Sequence, residues 1–208
     1  MTEVVPGLWQ FTARHPEWTE DEGGDEDGWE PDVNWWVRAT PGGALLIDPL
    51  VEDWGGLDAL VAARGGCAGI LRTCKWHQRS VPEAAARYGA EVWGARETDG
   101  TSLEPLHREL GHGEQIAGGI EIYYLRRRDE VALWLAEPAT LIFADAMIRA
   151  VDGRLAPCPP TWSQPVGGRS VLLDELGELA AHRPRHVLVS HGPLVVDDGE
   201  AALRRALG

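Results

Sequence analysis

The sequence predicts an α/β protein in which buried β-strands alternate with helices along one layered domain, residues 1–208. Two segments predict buried strands. Each of them is a continuous apolar run that ends in an aspartate, and they are Ala44 to Asp48 and Thr140 to Asp145. Such runs are typical of strands buried on both faces of a sheet. A third run, His186 to Val189, is followed by His191 at a Gly-Pro turn. The repeated run before an acid also suggests two similar halves.

The first half of the chain predicts a strand-rich segment followed by strand–helix units. Val4 to Phe11 predicts a strand with a turn at Pro6-Gly7, and Pro41-Gly42-Gly43 predicts the turn between two further strands. Pro82 lies near the first position of a predicted helix, where a missing N–H costs nothing. The remaining elements predicted here are strands Asn34–Arg38, Ala44–Asp48, Gly69–Leu71 and a strand within Gly89–Gly94, and helices Leu57–Arg64 and Val81–Tyr88.

The second half begins with a loop-rich segment, Ala95 to Gly119, and contains a second rigid loop at Pro157 to Gly168. One apolar stripe runs along Ser170 to His182 and predicts a helix that covers a sheet. The other elements predicted are strands Ile120–Leu125, Val131–Leu135, Thr140–Asp145 and His186–Val189, and a closing helix Gly199–Leu207.

Composition narrows the classes of partner and the compartment. An apolar content of 44% in 208 residues is enough for a full core, and the net charge of −14 disfavours nucleic acid and an anionic membrane surface. The chain contains no apolar run long enough to span a membrane, and Met1-Thr2-Glu3 does not resemble the start of a signal peptide. The cysteines number 3, which is too few for a disulfide framework. We therefore expect a cytoplasmic protein with a small-molecule partner, while the oligomeric state is not predicted.

Acidic residues crowd the segment from His15 to Asp32, around several glycines. This composition predicts a solvated, mobile hairpin loop inserted at about residues 15–32. Trp18 and Trp29 are unusual in a loop of that kind. A flap over a pocket, or a contact with a basic partner, is therefore the alternative interpretation.

The turn between the strand ending at Leu71 and the helix starting at Val81 carries residues able to do chemistry. A strand-to-helix turn places side chains at the mouth of a sheet, where α/β proteins usually bind their ligands. Cys74 and His77 lie three positions apart on this turn, a spacing that can bring a thiol and its base together. No third residue that would orient the base is recognisable. A buried structural role for Cys74 therefore remains the alternative.

Four sequence motifs in fixed order are Leu46-Ile47-Asp48-Pro49, Leu71-Arg72-Thr73, Phe143-Ala144-Asp145-Ala146 and Val189-Ser190-His191-Gly192-Pro193. This order and spacing resembles the metallo-β-lactamase superfamily over nearly the whole chain, from Val4 to Leu207. The resemblance implies a four-layer αβ/βα sandwich of two mixed β-sheets flanked by helices. It also implies a site at one edge between the sheets and, in most members, hydrolysis at zinc.

The superfamily's signature turn, a threonine followed by His-x-His-x-Asp-His, falls on Thr73 to Arg79, and the chain departs from it. The ligand positions of that turn hold Cys74, Trp76, Gln78 and Arg79, and a later histidine position falls near Arg126. The resemblance carries over only Asp145, at the bridging carboxylate, and His191, at the final histidine. Tryptophan and glutamine are poor zinc ligands, and arginine remains positively charged. The resemblance therefore implies a degenerate metal site without a cofactor.

Two classes of function follow. In the first, the protein is a metal-free binding protein or pseudo-hydrolase for a small anionic or aromatic molecule. Its predicted ligand-binding residues are Trp76, Gln78, Arg79, Arg126, Asp145 and His191. Within that pocket we expect Arg79 or Arg126 to pair with Asp145.

In the second class, the protein hydrolyses esters or thioesters. It would use a single zinc held by Cys74, Asp145 and His191, with His77 as an alternative ligand, or a Cys74–His77 nucleophile and base. A third interpretation assigns the acidic loop an interaction with a basic partner.

Overall fold

Two mixed β-sheets form the centre of the computed structural model, which describes residues 1–21, 29–95, 104–125, 130–150, 152–162 and 168–208. The strands in chain order are β1 Thr2–Val5, β2 Leu8–Arg14, β3 Asp32–Thr40, β4 Gly43–Ile47, β5 Cys67–Arg72, β6 Val92–Gly94, β7 Arg108–Glu109, β8 Gln115–Ile116, β9 Ile120–Leu125, β10 Glu130–Leu135, β11 Thr140–Phe143, β12 Met147–Arg149, β13 Leu155–Pro157 and β14 His186–Val189. The helices are α1 Trp54–Ala63, α2 Val81–Tyr88, α3 Gly168–Ala180 and α4 Gly199–Leu207.

The first sheet has the strand order β1-β2-β3-β4-β5-β6-β7. Strands β1 to β4 pair antiparallel, whereas β4, β5 and β6 pair parallel, with α1 and α2 as the crossover helices. The carboxyl ends of β4 and β5 therefore lie at the same edge of the sheet. Asp48 follows β4 at that edge, and Thr73 follows β5.

The second sheet has the strand order β14-β11-β10-β9-β8, in which only β11 and β14 pair parallel. Their carboxyl ends lead to Asp145 and His191, while β12 and β13 form a separate hairpin. Main-chain bonds join the two sheets at this edge, because Asn34 N–H donates to the Ser190 carbonyl and Val131 N–H to the Thr73 carbonyl. The carboxyl ends of two parallel strand pairs, β4 with β5 and β11 with β14, therefore meet at one edge of the molecule.

The alternation of side chains along the strands produces four layers. Leu45 and Ile47 of β4 lie in the core between the two sheets, whereas Leu46 packs on the opposite face with side chains of α1 and α2. Side chains of α3 and α4, among them Leu176 and Leu203, cover the outer face of the second sheet. The order helices, sheet, sheet, helices confirms the predicted αβ/βα sandwich.

Several predicted elements agree closely with the structure. Helices α2 and α4 have the bounds that the sequence predicts, and α2 begins with Pro82 in its first turn and ends at Gly89 in a left-handed conformation, φ 60°. None of the described helices is both long enough and apolar enough to cross a membrane.

Three predictions of local structure need correction. Val4 to Phe11 is not one strand, because the chain reverses at Gly7, whose φ of 73° favours glycine, and forms the β1–β2 hairpin. The apolar run from Thr140 leaves the sheet after Phe143, so Asp145 lies on a turn. The predicted loop at 157–168 begins inside β13, and its residues 163–167 lie outside the described residues.

Candidate ligand-binding site

The candidate site lies at the edge where the two sheets meet, and its first component is the aspartate after β4. Asp48 is fully buried and has a left-handed backbone, φ 49°, an uncommon conformation for a residue other than glycine. Its Oδ1 accepts the Thr73 N–H at 2.7 Å, and its Oδ2 accepts the Thr73 hydroxyl. Oδ2 also lies 2.8 Å from Nδ1 of His77. Asp48 thus holds the turn after β5 through its contacts with Thr73 and His77.

The second component is the aspartate after β11. The Asp145 Oδ1 lies 3.1 Å from Nε2 of His77 and 3.2 Å from Nε2 of His191. Its Oδ2 accepts the Cys74 thiol at 3.7 Å. Burial raises the pKa of Asp145, but the neighbouring imidazoles outweigh it and hold that pKa well below its usual value. Asp145 is therefore ionised at neutral pH.

A buried glutamate positions this second aspartate. Oε1 of Glu130 accepts the N–H groups of Ala144, Asp145 and Ala146, at 3.1, 3.2 and 3.1 Å. Glu130 itself is fully buried at the start of β10. The carboxylate satisfies three successive backbone donors that no strand pairing would satisfy, so it fixes the turn on which Asp145 lies.

His77 connects the two aspartates through its two ring nitrogens. Burial and the charge of Arg79 lower its pKa, but Cys74, Asp48 and Asp145 together raise it well above the ordinary value. The pKa of His191, in contrast, is lowered, chiefly by burial. The surroundings thus shift the pKa values of the two histidines in opposite directions.

Arg79 brings a guanidinium group into the same cluster from a strained turn, φ 36°. Its Nη1 donates to the main-chain carbonyls of Asn34 and Asp48, both at 3.2 Å, and its Nη2 lies 3.1 Å from Nε2 of His77. Burial lowers the pKa of Arg79, but an arginine starts so high that it remains charged. A permanent cation is thus built into the site.

A cavity of about 440 Å³ opens above this cluster. Its floor is formed by His77, Arg79, Asp145 and His191, and its remaining lining is His15, Glu17, Trp29, Trp76, Thr161 and Trp162. The rings of Trp29 and Trp162 meet the His191 ring edge-on, with centroids 4.9 and 5.4 Å away. The site therefore combines aromatic walls with a charged floor.

Comparisons with known proteins identify this architecture. No protein-family model matches the chain, and no curated protein matches it either. Among solved structures, DIM-1 metallo-β-lactamase superposes with a TM-score of 0.72 at 17% identity, covering 99% of this chain and 94% of its own. The chain has the metallo-β-lactamase fold.

Two further structures of this fold extend the comparison. The archaeal superfamily protein ST1585 from Sulfolobus tokodaii gives a TM-score of 0.67 at 18% identity, covering 97% of this chain and 84% of its own. The metallo-β-lactamase FIM-1 from Pseudomonas aeruginosa, solved in a mono-zinc form, gives 0.69 at 12% identity, covering 99% and 93%. At such identities the likeness concerns the metallo-β-lactamase fold and does not extend to activity.

The fold brings most of the sequence-predicted site residues together. Trp76, His77, Arg79, Asp145 and His191 all line the cavity. Each of them lies on a turn that follows β5, β11 or β14. The predicted edge between the two sheets is thus where these side chains meet.

The other predicted residues lie elsewhere. Cys74 is buried beside Asp145 without lining the cavity, and its neighbour Gln78 accepts from Arg72 Nη1 at 2.7 Å and donates to the Glu104 carbonyl. Gln78 is therefore turned away from the cavity. Arg126, the other candidate partner of Asp145, lies outside the described residues.

Sequence reasoning missed several residues of the site. His15, Glu17 and Trp29 come from the acidic segment, for which the sequence favoured a solvated loop over a flap, although residues 22–28 lie outside the described residues. The two tryptophans of that segment were the signal, since the Trp18 Nε1–H donates to the Trp29 carbonyl at 2.8 Å. Glu130 gave no signal, because its partners are main-chain groups.

The residues fit a zinc ion only in part. Cys74, His77 and Asp145 each offer one ligand atom, all within 4.8 Å of one another. However, Nη2 of Arg79 lies 3.1 Å from Nε2 of His77, the nitrogen that a metal would have to share with Asp145. A dication there would meet a permanent cation at close range in a buried place, which is strongly unfavourable. The charge arrangement disagrees with zinc, even though three ligand atoms converge.

Proposed function

We propose that this protein is a metal-free binding protein of the metallo-β-lactamase fold, which holds a small organic molecule in its tryptophan-walled cavity. The observation that carries the proposal is the position of Arg79. Its guanidinium lies 3.1 Å from His77 and donates to the carbonyls of Asn34 and Asp48, in the first sheet and directly after it. The cation that the fold's carboxylates need is thereby supplied by the chain itself.

The charges of the buried cluster support this interpretation. Asp48 and Asp145 are carboxylates and Arg79 is a cation, so the four side chains sum to zero when His77 is protonated and to −1 when it is neutral. Buried charges are tolerated when they are paired and hydrogen-bonded. The ion pairs of His77 with both aspartates and the bonds of Arg79 to two carbonyls pair these charges within the chain, while Nε of Arg79 has no hydrogen-bond partner among the described residues.

The walls of the cavity favour an organic ligand. Three tryptophans, Trp29, Trp76 and Trp162, line a space of about 440 Å³, which is within the usual size range of small-molecule sites. Trp76 is 65% exposed, although large apolar side chains are normally buried. An exposed tryptophan at the rim of a cavity is typical of ligand recognition.

A thiol nucleophile receives little support from this geometry. Burial raises the pKa of Cys74 to about 11, and its thiol donates to Asp145. The nucleophile of a cysteine hydrolase must be an accessible thiolate. His77, its sequence-predicted base, is paired with both aspartates instead.

A second candidate function is hydrolysis at a single zinc, and one observation favours it. Nδ1 of His77 lies 2.8 Å from Asp48, and a carboxylate behind the imidazole is the usual support of a zinc-binding histidine. Cys74 and Asp145 would complete such a ligand set, with His191 nearby. In this case Arg79 would have to move away when the metal binds.

Zinc content decides between the two functions. The protein is purified without chelator, incubated with zinc chloride, passed through a desalting column and analysed by mass spectrometry. We expect far less than one equivalent of zinc in the wild-type protein. Retention of one equivalent that disappears in Asp145→Asn would overturn the proposal and favour the hydrolase.

The Arg79→Met variant makes the experiment more discriminating. Methionine removes the positive charge but keeps part of the apolar stem, so Cys74, His77 and Asp145 no longer compete with a guanidinium. We expect this variant to take up more zinc than the wild-type protein. Arg87→Met is the matched control, because Arg87 on α2 pairs with Asp58 on α1 at the surface, and its loss should leave zinc uptake unchanged.

A further inference from the structure

We propose that the ligand of this cavity is an organic cation, an amine or quaternary ammonium with an apolar body; this rests on the proposed metal-free binding function. The inference keeps the aromatic character of the ligand expected from the sequence and differs from the anionic alternative, which the arginines suggested. Three features carry it: the charge of the floor, the aromatic walls and the acid at the rim.

The floor carries no surplus positive charge for an anion. Asp48 and Asp145 contribute two negative charges, Arg79 contributes one positive charge, and His77 contributes one or none. The sum is therefore zero or −1 in either protonation state of His77. The hydrogen bonds agree with this count, because Nη1 of Arg79 donates to two main-chain carbonyls and Nη2 donates to Nε2 of His77 when that histidine is neutral.

The walls provide the recognition surface that organic cations use. Indole faces attract ammonium groups through the negative charge of the ring face, and groups of aromatic residues bind quaternary ammonium ions in many proteins. Trp29, Trp76 and Trp162 surround the cavity. One ring shows this behaviour already, since the ammonium of Lys75 lies 4.8 Å from the centroid of Trp76.

The rim adds a negative charge. Glu17 lines the cavity and is exposed, and His15 beside it has a pKa lowered mainly by burial, so it adds no charge at neutral pH. The whole chain carries a net charge of −14. A net charge of this sign attracts cations towards the protein as a whole and repels anions.

Calorimetric titration with three probes that share a phenyl ring tests the inference. Benzyltrimethylammonium is the cation, benzyl alcohol the neutral compound and benzenesulfonate the anion. We expect the cation to bind at least about tenfold more tightly than the alcohol, and the sulfonate to bind most weakly. Binding of the alcohol or the sulfonate as tight as that of the cation would overturn the inference and leave the proposed function standing. No binding of the cation up to about 10 mM would also overturn it, while the zinc measurement decides the proposed function separately.

Substitutions locate the contact and test its nature. Trp76→Leu, at an exposed position where folding is little affected, should weaken the cation about fivefold. Glu17→Gln should weaken it about twofold at low salt and less at high salt, because an exposed charge is screened. Benzyl alcohol should show no salt dependence in either protein.

The matched controls are Trp54→Leu and Glu20→Gln. Trp54 lies on α1 beneath Arg87, and Glu20 lies in the same acidic segment as Glu17, but neither lines the cavity. Both controls should keep wild-type affinity for benzyltrimethylammonium. A loss in the controls equal to that in the cavity variants would contradict binding at this site.

Discussion

Asp48 and Asp145 follow apolar strands of the same kind, yet the two aspartates have different surroundings. Asp48 ends β4 of the first sheet, is fully buried and accepts from both donors of Thr73. Asp145 follows β11 of the second sheet, lines the cavity and accepts from imidazoles and a thiol. His77 lies between them, with one ring nitrogen on each carboxylate. The shared sequence pattern thus places both acids at the site, but their contacts differ. We call Asp48 the support aspartate, because it holds the turn, and Asp145 the cavity aspartate, because it lines the cavity.

The two aspartates together determine where His77 lies. The support aspartate holds a turn and a histidine whose other nitrogen reaches the cavity aspartate, so the position of His77 depends on both. The nitrogen of His77 that faces the cavity aspartate is also the one that Nη2 of Arg79 approaches, at 3.1 Å.

The largest expected effect comes from replacing each aspartate by asparagine. In Asp48→Asn the new amide NH₂ meets either a Thr73 donor or the N–H of His77, so a buried donor is left unpaired, at a cost of about 3 kcal/mol. In Asp145→Asn the carbonyl still accepts from the imidazoles, and the NH₂ faces the sulfur of Cys74, which can turn from donor to acceptor. We expect a loss of about 2 kcal/mol there, because the buried cations lose one counter-charge while every donor keeps an acceptor.

Urea unfolding followed by tryptophan fluorescence and circular dichroism measures both free energies. The comparison stands if Asp48→Asn is clearly the less stable of the two variants. Equal losses, or a greater loss in Asp145→Asn, would show that the two aspartates do not differ in the way their contacts indicate.

A smaller, pH-dependent effect sharpens the same comparison. The imidazoles hold the pKa of Asp145 well below its usual value, so its ionised form stabilises the folded state at every pH above the unfolded-state pKa of about 3.9. That contribution is lost as the pH falls towards the folded-state pKa. The difference in unfolding free energy between wild type and Asp145→Asn should therefore be steady from about pH 5 to 6 and shrink below about pH 4. A difference that stays constant to about pH 2 would contradict the ionised pair.

The fold was predictable from sequence because its signals are regular. Continuous apolar runs followed by acids or a histidine predicted the parallel strands, and Pro82 together with Gly89 marked the ends of α2. Short strands such as β7 were missed, since two residues carry no periodicity. The β1–β2 hairpin was read as one strand because β-pairing between neighbours leaves the same alternation as a longer strand.

Residues of the site were predictable only where they occupy a recognisable motif position. Arg79, Asp145 and His191 could be placed through the motif positions they occupy, and they do line one cavity. Trp162 and Glu130 could not, because the first reaches the site from a long loop and the second acts through main-chain N–H groups. The sequence also could not show that Gln78 turns away, since neighbouring residues on a turn point in different directions.

The last expected effect is on a reaction rate and concerns Cys74, whose thiol contacts the cavity aspartate Asp145. With a pKa of about 11, its thiol should react with iodoacetamide at pH 8 about a hundredfold more slowly than an ordinary exposed cysteine. The half-buried Cys67 should be labelled first, and all three cysteines should react in urea.

The negative charge of Asp145 contributes to the raised pKa of Cys74, after burial. Asp145→Asn should therefore increase the labelling rate of Cys74 by about two- to fivefold, because neutralising a nearby carboxylate favours the thiolate. Peptide mapping by mass spectrometry separates Cys74 from the other two thiols, and the Cys67 rate in the same sample is the internal control. Rapid labelling of Cys74 in the wild-type protein would instead identify an accessible thiolate and restore the Cys74 nucleophile as the better account of this site.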